Sequence, residues 1–242
     1  MTVRKRTYPG SMHVGSWPIR HGVCGWGTAV ADDRLLHAQK LYEQAVFGGD
    51  EGALVNADAE LDGVEADLAL ARGRVMHARF LSERQPDARE LVLFERAVEF
   101  YEGLGDIRGE AEARFWVGCY HQVVKGDTAA ALPALERSAA LAEAAGDRLT
   151  RSYAVRHLGF AELAAGRPHT ARELLEESLR LRRELDFQPG IAAALLALAE
   201  AASEAGDVEQ ARTLITEAAD TGAACGAYGT LRWIGAFRDE LG

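Results

Sequence analysis

Apolar residues recur with a helical period along most of the chain, and glycine-containing turns interrupt them at regular intervals. Residues 1–30 lack this period and contain Pro9, Pro18 and many glycines, so we predict an irregular or disordered arm there. From Asp32 onward, apolar side chains fall three or four positions apart. Alanine, leucine, glutamate and arginine, which favour helix, dominate these segments, whereas β-branched residues are sparse. The pattern therefore predicts an all-α protein.

The predicted helices follow one another in pairs. In the first part of the chain we expect a helix from Asp32 to about Val46, a shorter helix that ends near Leu61 at Asp62-Gly63, and longer helices over 64–83 and 87–103. The later pairs are predicted at 108–125 with 128–144, 148–165 with 168–185, and 189–205 with 208–224. Residues 227–241 are expected to form a capping helix that shields the last apolar face.

A sequence pattern with a period of forty residues occurs three times in the second half of the chain. The turns that precede its alanines are Gly126-Asp127, Gly166-Arg167 and Gly206-Asp207. Each turn is followed at fixed offsets by an alanine, a bulky aliphatic residue and a small residue: Ala131, Leu135, Ser138; Ala171, Leu175, Ser178; Ala211, Ile215, Ala218. A repeat of this length indicates an array of helix hairpins that bury their apolar faces only by stacking.

These positions resemble the tetratricopeptide repeat in a long variant of about forty residues. That motif places a small residue in the middle of the first helix of each pair, where Gly118, Gly159 and Ala199 stand here. The resemblance implies a right-handed α-solenoid of stacked antiparallel helix pairs over residues 31–242. We assign clear repeats to 105–225 and degenerate ones to 31–104, where Met76 replaces the expected small residue.

The resemblance also implies that the first helix of each pair lines the concave wall of the solenoid. In that register the predicted groove residues are Arg74, His77, Glu112, Phe115, Trp116, Cys119, Gln122, Tyr153, Arg156, Phe160 and Glu200. The aromatic members offer anchors of the kind found at interfaces, and Arg74 and Arg156 could pair with a carboxylate of a partner. Some aromatic members could equally fill space between neighbouring pairs.

One subset of these repeats holds acidic chaperone tails with a clamp of lysine and asparagine. That clamp is missing, because its expected places hold Gly73, His77, Trp116, Tyr153 and His157. The resemblance therefore implies a more apolar ligand than a chaperone tail.

Charge and cysteine content narrow the function further. The net charge is −10. The four charged side chains of residues 1–30 are all positive, so the remainder of the chain has a net charge of −14. An acidic body argues against nucleic-acid binding. Three scattered cysteines, no long apolar run and no signal-peptide core favour a cytoplasmic protein without a membrane span. No metal-ligand or nucleotide-binding motif is present, so we expect no metal and no cofactor.

The leading hypothesis is a non-catalytic scaffold that binds an extended peptide or a helix of a partner protein in the groove. A small-molecule or enzymatic site built from His77, Glu112, Cys119 and Arg156 is the alternative, with His77 as a base for Cys119. A peptide-sensing regulatory protein is a third reading. A homodimer is also possible through the terminal helix, if Trp233, Ile234 and Phe237 are exposed.

Overall fold

The computed structural model describes residues 32–241, and all of their regular structure is helical. The helices are α1 Asp33–Gly48, α2 Gly52–Glu83, α3 Arg89–Leu104, α4 Ile107–Cys119, α5 Thr128–Ala144, α6 Arg148–Ala164, α7 Pro168–Glu184, α8 Gln188–Glu204, α9 Val208–Ala224 and α10 Tyr228–Leu241. A π-helical turn over Tyr120–Val124 continues α4. The arm predicted for residues 1–30 lies outside the described residues.

The helices of the later repeats end at a left-handed residue every twenty positions. Gly126, Gly146, Gly166, Gly206 and Gly226 have φ between 66° and 82°, and Asp186 takes the same role with φ 51°. Glycine suits this conformation because it has no Cβ to clash with the preceding turn. Aspartate side chains then accept backbone N–H bonds at the start of α4, α5, α6 and α9. The predicted ends of these helices agree with the structure within one or two residues.

Paired helices meet along a line of small residues, which we call the seam. A Cβ on Gly118 would lie 2.6 Å from Leu135 Cγ, and one on Gly159 would lie 2.9 Å from Leu175. Ala131, Ala171 and Ala211 are fully buried along the same contact. The seam therefore brings the two backbones close together, as the resemblance to tetratricopeptide repeats implies.

Successive pairs stack so that their first helices form one layer. Each helix packs against the next one in the chain, and in addition α4 contacts α6, α6 contacts α8 and α8 contacts α10. The apolar core continues from Leu175 in α7 to Ile234 and Phe237 in α10. The described residues thus confirm the predicted all-α architecture of stacked helix pairs.

The early repeats differ from the prediction in two places. The helix break expected at Asp62-Gly63 is wrong, because α2 runs through both residues as one helix of 32 residues. Gly63 is buried, and a Cβ there would lie 3.2 Å from Arg34 of α1, so this glycine allows close helix packing instead of a turn. The small residue of α2 that contacts α3 is Gly73, where a Cβ would lie 2.4 Å from the Phe94 ring, and Met76 is not at that position.

The terminal helix α10 caps the solenoid, and this position changes the dimer hypothesis. Ile234 and Phe237 are buried against α8 and α9 in the core, whereas Trp233 remains 40% exposed. The three residues therefore do not form the exposed apolar patch on which that hypothesis depends. Burial is favourable here because α9 would otherwise leave its apolar face in water.

Candidate functional site

The concave side of the solenoid holds an open groove with a volume of about 790 Å³. Side chains from α2, α4, α6 and α8 form its wall, and Thr230 and Trp233 of α10 border one end. All eleven residues predicted for the groove border it: Arg74, His77, Glu112, Phe115, Trp116, Cys119, Gln122, Tyr153, Arg156, Phe160 and Glu200. That these residues contact a partner stays a prediction.

Aromatic rings form a continuous cluster on the wall. Trp116 stacks on Phe94 at a centroid distance of 5.6 Å and meets Phe115 edge-on at 5.1 Å. Phe115 also lies 5.3 Å from Tyr153 of the next pair. Phe115 is 3% exposed and therefore serves mainly to pack neighbouring pairs together. Trp116, Tyr153 and Phe160 keep part of their surface open to the groove.

Arg74 is already engaged within the groove. Its guanidinium donates a hydrogen bond to Glu112 at 2.9 Å and lies 5.8 Å from the centre of the Trp116 ring. Both side chains are partly exposed, so this ion pair adds little stability. It does hold the Arg74 guanidinium beside Trp116, where it shapes the charge of that end of the groove.

His77, Cys119 and Glu90 form a buried polar chain beneath the wall. His77 Nδ1 lies 2.8 Å from Glu90 Oε1, and its Nε2 lies 3.7 Å from the Cys119 sulfur. Burial, and after it the negative charge of Glu90, raise the pKa of the Cys119 thiol to about 12. The thiol is therefore protonated at neutral pH and a poor nucleophile. Glu90, His77 and Cys119 are connected in the order of a catalytic triad. The raised pKa of the Cys119 thiol nevertheless disfavours thiolate chemistry.

Gln122 reaches the groove because of the π-helical turn. Twenty-one positions separate Gly105 from Gly126, whereas twenty separate Gly146 from Gly166, so this pair contains one extra residue. The helix absorbs it as the π turn, which is a common device near functional sites. Gln122 then bonds to His157 twice, through the ring Nδ1 at 2.6 Å and the backbone carbonyl at 3.0 Å.

His157 is held neutral in this arrangement. Burial lowers its pKa well below the ordinary value of 6.5, and the positive charges of Arg156 and Arg182 lower it further. A neutral imidazole with Nδ1–H can donate to the Gln122 carbonyl oxygen, which fits the observed distance. His157 therefore joins the π turn to α6 rather than offering a charge to a ligand.

Arg182 is the main residue of the groove that sequence reasoning missed. It is 1% exposed, although it belongs to α7, the second helix of its pair. Its guanidinium donates to the Gly190 carbonyl at 2.8 Å and to Ser152 Oγ at 3.3 Å, and it lies 4.8 Å from the centre of the Tyr153 ring. A signal was available: Ala142 and Gly222 occupy the same place, forty residues before and after.

Glu90 was missed for a similar reason. It occupies the place of Ala131, Ala171 and Ala211 in its own pair and is fully buried. The repeat is too degenerate there to set the register without the observed contact between Gly73 and Phe94.

The described residues contain no cluster of histidine, cysteine and carboxylate side chains that could hold a metal ion.

None of the helices in the described part of the chain combines the length and apolar character that a membrane span requires.

The chain's similarity to known proteins lies in its repeats. A family model described as tetratricopeptide repeat matches residues 149–221, which extend from α6 into α9. No curated protein matches the chain.

Two solved structures match the chain. The first is a candidate kinesin light chain of Podosopora anserina with nearly identical TPR-like repeats, at 18% identity and a TM-score of 0.51, covering 71% of this chain and 89% of that one. The second is BtubC (BKLC) from P. vanneervenii, at 14% identity and a TM-score of 0.43, covering 80% and 90%. Residues 149–221 thus match the tetratricopeptide repeat, and the described residues form the TPR-like helical solenoid that the sequence predicts.

Proposed function

We propose that the protein is a non-catalytic scaffold whose groove binds an extended peptide or a helix of a partner protein. Tetratricopeptide repeats are in general protein-interaction modules, and the groove supplies the surface for that role in this chain. The observation that carries the proposal is the row of partly exposed aromatic side chains, Trp116, Tyr153 and Phe160, on two adjacent first helices.

The chemistry of the row suits recognition. Aromatic side chains bury a large area with little loss of conformational entropy, which is why they are frequent among the residues that dominate interfaces. Neighbouring contacts already restrain them: Tyr153 packs against Phe115, and Arg156 lies 4.6 Å from the centre of the Phe160 ring. Restrained side chains lose less freedom on binding, so more of their contact energy is available for affinity.

The shape of the groove also supports an elongated ligand. It runs from Arg74 on α2 to Trp233 on α10 and therefore crosses all the first helices between them. An extended segment or a helix can contact several repeats at once in such a channel.

A second candidate, a small-molecule ligand, has one specific observation in its favour. The volume of about 790 Å³ lies in the range of about 300–1,000 Å³ that is typical of small-molecule sites. Its lining combines aromatic rings with a few buried polar groups, among them Arg182 and His157.

Selection of peptides tests the leading proposal. Random 12-residue peptides displayed on phage are selected on the full chain, and the dissociation constants of the selected peptides are measured by fluorescence anisotropy. We expect Trp116→Ala and Phe160→Ala to weaken binding at least tenfold, which corresponds to about 1.4 kcal/mol. Phe47→Ala is the matched control, because Phe47 on α1 is 82% exposed and does not border the groove.

Two results would contradict the scaffold proposal. Either no peptide is enriched over the support alone, or the selected peptides bind Trp116→Ala as tightly as the parent. Thermal unfolding of each variant verifies that the loss of binding is not a loss of fold. A parallel screen of small aromatic compounds by thermal shift that identifies ligands, when no peptide is enriched, would favour the second candidate.

The cellular address is part of the proposal. Cys119 and Cys225 are free thiols among the described residues, and free thiols are typical of a reducing compartment. We therefore place the protein in the cytoplasm, with a protein or peptide as its partner and no nucleic acid.

A further inference from the structure

Three buried side-chain atoms in the described residues have no hydrogen-bond partner: Glu90 Oε2, Arg156 Nε and Arg182 Nη2. A buried polar atom without a partner is costly, and a charged group more so. Two of the three atoms belong to arginines that border the groove. Such a pair therefore requires an explanation other than stability.

Packing does not require arginine at either position. The place of Arg156 is taken by Phe115 in the preceding pair and by Leu196 in the following one, and both are 3% exposed. The place of Arg182 is taken by Ala142 and Gly222, which are also buried. The same solenoid is thus built with neutral side chains on either side of this pair of helices.

The groups around the two guanidinium ions leave donors unused. Arg182 has only neutral partners, the Gly190 carbonyl, the Ser152 hydroxyl and the face of Tyr153. Arg156 lies over Phe160, and the negative charge of Glu200 stabilises its positive charge. In the part of the chain that the structure describes, neither guanidinium forms an ion pair within 4.0 Å.

The electrostatics agree with an unpaired cationic site. Burial, and after it the charge of Arg156, lower the pKa of Arg182 to about 9, and burial also lowers the pKa of Arg156. Both side chains still carry their charge at neutral pH. Five arginines and three carboxylates border the groove, so the groove is positive in a protein whose net charge is −10. A positive cleft with apolar walls concentrates anions.

We propose that Arg156 and Arg182 form a carboxylate-binding site in the floor of the groove, which takes the acid group of a ligand whose remainder is apolar or aromatic. Each guanidinium has a buried donor without a partner, Nε in Arg156 and Nη2 in Arg182, and a carboxylate offers two acceptor oxygens. Trp116, Tyr153 and Phe160 then contact the apolar part. Neither arginine is one of the five residues named above for the chaperone-tail clamp, Gly73, His77, Trp116, Tyr153 and His157. This inference rests on the groove being the binding surface, as proposed above.

A matched pair of probes tests the site on the full chain. N-acetylphenylalanine carries a carboxylate, and N-acetylphenylalaninamide is its neutral counterpart. Their dissociation constants are compared by NMR titration in the parent, Arg156→Leu, Arg182→Met and Arg180→Met. Arg156→Leu introduces the residue that stands at position 196 in the next pair, so we expect the fold to tolerate it. Arg180 lies on the same helix as Arg182 but on the surface, in an ion pair with Glu184, and serves as the charge-matched control.

We expect the parent to bind the acid at least tenfold more tightly than the amide. This ratio should approach one in Arg156→Leu and Arg182→Met and remain unchanged in Arg180→Met. The proposal is overturned if neither probe binds, if the parent binds both equally, or if Arg156→Leu retains the preference. Inorganic phosphate is the third probe, and displacement of the acid by phosphate at equal or lower concentration would show that the site is not selective for carboxylates.

The source of the carboxylate is resolved by a longer probe. Ac-Ala-Ala-Ala-Phe with a free carboxylate should bind more tightly than N-acetylphenylalanine if the ligand is the C-terminus of a peptide, and more weakly if it is a small organic acid. Both results support the site. A groove that binds apolar peptides regardless of their terminal charge would instead overturn the site and leave the scaffold proposal intact.

Discussion

The seam between paired helices and the wall of the groove are built from the same helices, but they vary differently from repeat to repeat. In the seam, Ala131, Ala171 and Ala211 are identical and fully buried. Along the groove, equivalent places hold unlike side chains. One such place holds Phe115, Arg156 and Leu196 in successive pairs. Another holds Cys119, Phe160 and Glu200.

The difference separates packing from recognition. In the three clear repeats the seam keeps the two backbones at one distance, with small residues facing one bulky aliphatic residue. The groove wall has no such requirement, so its side chains can differ as a ligand demands. Among the residues that border the groove, a charge at a place that is apolar in neighbouring repeats is the clearest mark of this second kind of position, because the fold alone does not benefit from it.

The largest expected effect is in the seam. Gly159→Trp should lower the free energy of unfolding by at least about 3 kcal/mol, because even a Cβ at this place would lie 2.9 Å from Leu175 and 3.3 Å from the Ala171 carbonyl oxygen. Urea unfolding measures the change. Gly235→Trp is the control, since no atom lies within 4 Å of a Cβ there. Equal stability of Gly159→Trp and the parent would show that the seam has been misidentified.

A substitution in the groove wall should instead raise the free energy of unfolding. Arg156→Leu should raise the free energy of unfolding of the ligand-free protein by about 1–2 kcal/mol, because it replaces a half-buried cation, whose Nε is buried without a hydrogen-bond partner, with an apolar side chain. The matched change in the following pair, Leu196→Arg, should destabilise the protein, because Leu196 lies in the core. Chemical unfolding of both variants measures the contrast. A loss of more than about 1 kcal/mol in Arg156→Leu would mean that Arg156 stabilises the fold.

The sequence predicts both the seam and the wall from the same forty-residue period. The forty-residue period locates the first helices, so the face that contains Gly159 also locates Arg156 and Phe160 beside it. This is why all eleven predicted residues border the groove. Whether they bind a partner stays a prediction, since the period describes position and not affinity.

The residues that were missed lie where the period is interrupted or where a side chain extends far from its helix. Arg182 starts on a second helix and reaches the groove only because its long side chain passes to Gly190 of α8. Glu90 belongs to a degenerate repeat in which the predicted break at Gly63 obscured the register. A comparison of each repeat position for charge would identify Arg182, but not its partners.

Within the seam, the hydroxyl groups provide a smaller test. Ser178 Oγ donates to the Ser152 carbonyl at 2.7 Å while fully buried, whereas Ala218 takes its place in the next pair. Ser178→Ala should cost about 1 kcal/mol, measured by urea unfolding, because the hydrogen bond is lost. Ser82→Ala on the exposed end of α2 has the same effect on helix propensity and should be near neutral. Equal effects of the two changes would mean that the hydroxyl does not stabilise the seam.

The smallest effect concerns pH and lies on the groove side. The folded state holds the pKa of His157 well below 6.5, because burial disfavours the imidazolium and Arg156 and Arg182 repel it. Below pH 6.5 the unfolded chain therefore binds a proton that the folded chain does not, and the protein loses stability as pH falls. Well above pH 6.5, near pH 7.5, both states are neutral and the contribution vanishes. By pH 6 the loss from this group should be on the order of 1 kcal/mol or less.

His157→Asn removes the titrating group and keeps a donor towards Gln122 Oε1, so the parent should lose more stability than the variant between pH 7.5 and pH 6. Urea unfolding at the two pH values measures this difference. His169→Asn is the control, because the side chain of His169 is 89% exposed and should leave the pH dependence as it is in the parent. If His157→Asn and the parent have the same pH dependence, the imidazole binds a proton in the folded state as easily as in the unfolded one. In that case the two arginines must be screened from His157 by solvent, and the groove floor would be too wet to hold a carboxylate tightly.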